Sequence, residues 1–101
     1  MVFDGHFQIP LAAALSHAHK SQMRLAEKRL PEARDEARKA VALASDGVKP
    51  NVVLGDALTA MGQVEQARPY YRKALRLAST VQPEFHVGWV KGLRKKLANE
   101  D

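Results

Sequence analysis

A chain of 101 residues carrying 16 basic and 11 acidic side chains, net +5, supports one small domain with a modest core. It has no cysteine, which excludes disulfides and thiolate metal sites. No apolar stretch approaches the ~20 residues a membrane span needs, and no signal-peptide pattern opens the chain. Alanine-rich segments, few β-branched runs and a sparse aromatic set (one Trp, two Tyr, three Phe) point to an all-α fold.

Residues 1–10 place Phe3, Phe7 and Ile9 around Asp4-Gly5 and read as an extended segment or turn. Pro10 opens a first helix running to about Lys28. Its Leu11–Leu15 run is too short to enter a membrane and continues into His17, His19 and Lys20. Pro31 suits the first turn of a second helix, which ends before the turn signal Asp46-Gly47. Pro50 opens a third helix and Gly62 closes it. The fourth runs to about Ser79, with Pro69 one turn inside it and expected to distort the turn near Glu65. Pro83-Glu84 opens a fifth helix, with Phe85, Trp89, Leu93 and Leu97 at intervals of four. That stripe is expected to lie as a lid on the fourth helix. Gly88 and Gly92, one turn apart, are read as permitting close packing there, against the alternative of a locally weak helix.

Thirteen residues recur 34 positions downstream. Ala33-Arg34-Asp35-Glu36-Ala37-Arg38-Lys39-Ala40-Val41-Ala42-Leu43-Ala44-Ser45 aligns on Ala67-Arg68-Pro69-Tyr70-Tyr71-Arg72-Lys73-Ala74-Leu75-Arg76-Leu77-Ala78-Ser79, with eight of thirteen positions identical. In the second copy Leu54-Gly55 is followed by Leu58, then Gly62, Ala67, Tyr71 and Ala74. Small residues at Gly55, Ala67 and Ala74 allow helices to cross closely, while Leu54, Leu58 and Tyr71 fill the space between. With its period, this pattern resembles the tetratricopeptide repeat, a helix–turn–helix unit that stacks into a superhelix. Asn51, where Trp is common, and Ser79, where Pro usually ends the unit, depart from it.

The first copy resembles the repeat with its turn glycine deleted between Lys28 and Arg29. That gap puts Ala18, Ser21, Gln22 and Leu25 on the inner face, with Gln22 at the small-residue position. The resemblance implies antiparallel hairpins at 11–45 and 50–79 and a capping helix at 83–98. Together they make one domain, 11–98, coiled as a short right-handed superhelix.

No catalytic constellation is legible. His17 and His19 are two apart and point to different sides of a helix. There is no His-x-x-x-His, no carboxylate cluster at metal-ligand spacing, no phosphate loop, and no third member for a triad near Ser16 or Ser21. A non-enzyme without metal or cofactor is expected.

The resemblance implies binding on the concave surface built by the first helix of each hairpin. Its binding positions fall on Lys49, Val52, Asp56 and Thr59 in the second copy. Through the one-residue gap they fall on Ser16, His19, Met23 and Ala26 in the first, and the capping helix offers His86 and Val90. Only Lys49 is similar to a carboxylate clamp, so that mode is disfavoured. The expected function is a protein–protein interaction or scaffolding module for a peptide or partner protein.

Charge supplies the alternatives. Lys91, Arg94, Lys95 and Lys96 form a one-sided stretch, and Arg34, Arg38 and Lys39, echoed by Arg68, Arg72 and Lys73, form a basic ridge. These would suit a basic surface meeting nucleic acid or anionic lipid. The absence of interleaved aromatics disfavours nucleic acid, and a solvated helical face is the plainer reading. The entry Phe3–Leu11 resembles the run into repeat tails that follow bacterial membrane glycosyltransferases, which implies a regulatory tail of a larger transferase. A cytoplasmic location is expected, or an extracytoplasmic soluble tail under that last reading. Two repeats with a lid fall short of the three an array usually needs, so a homodimer is a further expectation.

Overall fold

The computed structural model describes residues 8–80 and 87–98, and these form five helices in sequence. They are α1 (Gln8–Ala26), α2 (Leu30–Leu43), α3 (Val48–Ala60), α4 (Val64–Thr80) and α5 (Val87–Ala98). Helix α1 packs along α2, α3 along α4, the second pair sets α3 against α1 and α2, and α5 lies on α4. The architecture is all-α, with consecutive hairpins stacked as repeats. Phe85 and His86 lie outside the described residues, as do the start of the fifth helix expected at Pro83 and the side chain of Trp89.

Several boundaries differ from expectation. Helix α1 begins at Gln8, so residues 8–10 are helical rather than extended. Pro50 is the third residue of α3, inside the first turn where its missing N–H costs nothing. Pro69 sits within α4 without ending it.

The inter-helix turns correct the register of the first copy. At the end of α3, Gln63 N–H donates to Leu58 O at 2.8 Å and Gly62 N–H to Thr59 O at 2.9 Å, with Gly62 at φ +79°. This is a Schellman closure, in which a left-handed residue lets the chain reverse and satisfies the last carbonyls. Helix α1 ends identically: Arg29 N–H donates to Arg24 O at 2.8 Å, Lys28 N–H to Leu25 O at 3.0 Å, and Lys28 has φ +61°. Lys28 therefore occupies the glycine's place, and no residue is missing. The hairpin turns are offset by 34 residues throughout: Ala26 and Ala60 end the first helices, Leu30 and Val64 start the second.

Without the gap, the small-residue position falls on Ser21, not Gln22. Ser21 is fully buried and its Oγ donates to Ala33 O of α2 at 2.8 Å, whereas Gln22 is exposed. The two copies then solve one crossing in two ways. In the second, Gly55 leaves room for the Tyr71 ring: a Cβ at Gly55 would stand 2.6 Å from Tyr71 Cε1. In the first, Ala37 replaces the tyrosine and Ser21 replaces the glycine, so volume is exchanged across the contact. Ala33 and Ala67 are both fully buried, as are Ala40 and Ala74.

Helix α3 is the centre of the domain. Pro50, Asn51, Val52, Val53, Leu54, Gly55, Ala57 and Leu58 are all buried, so it is covered nearly all round. The residues one repeat earlier on its stacking face, Ser16, His19, Lys20 and Met23, correspond to Pro50, Val53, Leu54 and Ala57 and are exposed. The substitution of polar side chains at three of these four positions is what an array's outermost helix requires. At the other end Lys91, Arg94 and Lys95 of α5 are exposed, while Leu93 is buried and Leu97 packs on the core.

Gly88 and Gly92 do not mediate close packing, because a Cβ built on either meets no atom within 4 Å. The space beside both positions is open, so they act only as weak points in the helix. Gly88→Ala and Gly92→Ala are accordingly expected to raise stability by about 0.5–1 kcal/mol each. Urea titration followed by circular dichroism measures this, and a loss of stability in either variant would show a packing role after all.

Candidate partner-binding face

Lys49 and Asp56 stand seven residues apart on α3 and so share one face, with Thr59 nearly a turn further on. Lys49 and Asp56 are half-buried and Thr59 is exposed. Val52 lies between them in sequence but is only 4 % exposed and belongs to the core. Its side chain packs in the core and offers almost no surface to a partner. The residue one repeat earlier, Ala18, is likewise buried.

Asp56 is the hub of a polar cluster. The Tyr71 hydroxyl donates to Asp56 Oδ1 at 2.7 Å, and Thr59 Oγ1 lies 3.2 Å from the same hydroxyl. From α5, Lys96 Nζ donates to Asp56 Oδ1 at 2.7 Å and sits 5.2 Å from the centre of the Tyr71 ring. The ammonium thus meets a carboxylate and an aromatic face together, a charge-assisted hydrogen bond beside a cation–π contact. Burial pushes the Tyr71 phenol above its ordinary pKa, and its hydrogen bond to Asp56 adds to that, so the phenol stays a donor. The cluster joins α3, α4 and α5, and its outer surface is Thr59, Lys96 and part of Asp56.

Of the eight residues expected to bind, the structure brings Asp56 and Thr59 together through Tyr71 and sets Lys49 along the same helix. Val90 is half-buried on α5, and His86 lies outside the described residues. His19 and Met23 are exposed on α1, but the gapless register moves the positions that the resemblance assigns to binding to Leu15, Ala18, Gln22 and Leu25. His19 and Met23 then stand one residue round the helix, matching Val53 and Ala57.

Lys96 had been legible only as one of a run of cations. Its partner is 40 residues away, and spacing along the chain carries no sign of such a contact. Asn51, in the position where Trp is common, is fully buried, and its Nδ2 donates to Ser45 O at 2.9 Å and Gly47 O at 2.7 Å. It ties the connection between the hairpins to the start of α3. The two histidines diverge as their spacing requires: His17 Nδ1 lies 2.6 Å from Glu36 Oε2 of α2, while His19 is exposed. That hydrogen bond holds the Glu36 carboxyl below its usual pKa, with Lys39 adding to the effect.

Much of the basic ridge is engaged within the fold. Lys39 lies 3.6 Å from Glu36, Arg68 2.9 Å from Glu65, and Lys73 3.4 Å from Asp46. Pairs of this exposed kind add little stability, but they lower the positive field the ridge presents. Among the described residues no three His, Asp or Glu side chains converge as a metal set, and no helix is long and apolar enough to cross a membrane.

Stacked antiparallel hairpins, a buried α3 and small residues at the crossings define an all-α helical-repeat fold. Residues 48–80 match the family model of the tetratricopeptide repeat, and the chain is tetratricopeptide-repeat-like. No curated protein and no solved structure gives a significant match.

Proposed function

We propose that the chain is a non-catalytic module that binds a peptide or partner protein across the face of α3 that carries Lys49, Asp56 and Thr59, bounded by Val90 and Lys96 of α5. The observation that carries the reading is the Asp56–Tyr71–Thr59–Lys96 cluster, in which Asp56 and Thr59 fall at positions that the family resemblance assigns to binding. It is a set of fixed donors and acceptors beside the buried Val52, polar groups able to orient a ligand. The basic-surface reading has less support, since the ridge cations are largely engaged with neighbouring carboxylates.

The test is selection of random displayed peptides on the wild-type chain, followed by titration of the enriched sequences against variants. Thr59→Arg and Lys49→Glu are expected to weaken binding at least tenfold, while Arg38→Ala and Arg94→Ala leave it within twofold. Enriched peptides indifferent to both α3 variants, or affinity that tracks Arg38 and Arg94 and collapses with salt, would refute the proposal.

A further inference from the structure

The Lys96 ammonium is held from two sides, 2.7 Å from Asp56 Oδ1 and 5.2 Å from the centre of the Tyr71 ring. A carboxylate beside an aromatic face is an arrangement that binds an ammonium or guanidinium well. Here the Thr59 and Tyr71 hydroxyls, 3.2 Å apart, complete its wall. Asp56 and Thr59 stand at positions that the family resemblance assigns to binding. The repeat's crossing does not require this arrangement. One repeat earlier Gln22 and Ala37 take the places of Asp56 and Tyr71, and the hairpin closes through a hydrogen bond from Ser21 Oγ to Ala33 O. Nor does α5 depend on it for its seat, since Leu93 is buried and Leu97 packs on the core. The ion pair is also accessible, with 42 % of the Lys96 side chain and 29 % of the Asp56 side chain exposed. Pairs in contact with water add little net stability, so one cation can replace another there at small cost.

We infer, on the reading of the α3 face as the binding face, that its Asp56–Tyr71 site takes a lysine or arginine side chain of the partner, and that Lys96 is an autoinhibitory occupant which the partner displaces. Lys96 is tethered beside the site and so competes at high effective concentration. It lowers the apparent affinity by the fraction of chains in which the site is filled. The surroundings decide what flanks the ligand's cation. Lys49 on α3 and Lys91, Arg94 and Lys95 on α5 make the neighbourhood positive, and α5 carries no acidic residue. A run of basic residues is therefore repelled. The fitting ligand has a single basic side chain among neutral or acidic neighbours.

The test is parallel selection of random displayed peptides on the whole wild-type chain and on Lys96→Met, which keeps the side-chain stem and removes the charge. Enriched peptides are expected to share one lysine or arginine, and to bind Lys96→Met at least fivefold more tightly than the wild type. Lys95→Met removes the same charge one residue along the helix and should leave affinity within twofold. Asp56→Asn, or norleucine in place of the peptide's basic residue, should weaken binding at least tenfold. The norleucine peptide leaves the protein untouched, so it decides the matter even if circular dichroism shows Asp56→Asn unfolded. Peptides that are lost with Thr59→Arg yet tolerate norleucine, or bind Lys96→Met no better than the wild type, overturn the cation site and leave the α3 face as the binding face. An equal gain from Lys95→Met reduces the effect to overall charge and overturns the role of Lys96. Peptides indifferent to Thr59→Arg, or no enrichment on either chain, overturn both readings.

Discussion

Leu54→Ala is expected to cost about 2–5 kcal/mol, the largest effect of any single truncation in the chain. Leu54 is 2 % exposed and among the largest fully buried side chains, on the helix that both hairpins and their crossing enclose. It belongs to the close-packed core cluster that also holds Val53, Leu58, Tyr71 and Leu93, so its removal leaves a cavity that the packed surroundings fill only in part. Lys20, at the same place one repeat earlier, is exposed, so Lys20→Ala is expected to change stability by no more than ~0.5 kcal/mol. Urea midpoints for the two variants check the pair. A small loss at Leu54 would mean that the second hairpin is not the more tightly packed one.

Gly55→Ala is expected to destabilise by roughly 1–3 kcal/mol even though alanine is the better helix former by about 1 kcal/mol. The new Cβ would come within 2.6 Å of Tyr71 Cε1 and 2.9 Å of Cζ, which are ring atoms and not a flexible tip. The ring cannot turn aside freely, because its hydroxyl is tied to Asp56 and Thr59 and its face carries Lys96. For a domain of this size each kcal/mol lowers Tm by about 4–8 °C. A second substitution separates clash from other causes. Gly55→Ser combined with Tyr71→Ala reproduces the Ser21–Ala37 pairing of the first hairpin, and should be less damaging than the sum of the two single changes. Additive losses would show that the contact does not decide the crossing. Coupling at this point also bears on binding, since Tyr71 positions Asp56.

The 34-residue recurrence, together with the proline and glycine breakers, was enough to place four helices and their pairing, because a hairpin repeat writes its turn and crossing residues at fixed offsets. The buried alanines at 33, 40, 67 and 74 were legible for the same reason. The first turn was misread because a left-handed residue is ordinarily glycine. Lys28 adopts that conformation without any sign in its side chain, and the apparent deletion followed. Gly88 and Gly92 misled in the opposite sense: their spacing suggests a crossing, but spacing does not say which side of α5 meets α4. The concave positions of α3 could be numbered from the repeat alone. Whether each is open could not, and Val52 proves to be core where Thr59 is surface.

What the chain by itself determined is the helical class and the two-hairpin period, both properties of local spacing and residue type. Tertiary structure alone decided three further things: the exchange of volume between Gly55–Tyr71 and Ser21–Ala37, the salt bridge from Lys96 back to Asp56, and the exposure of Leu11, Leu15 and Met23 on α1. Each depends on which side chain from a distant helix fills a given space, and that is settled by packing in three dimensions rather than by any interval along the sequence.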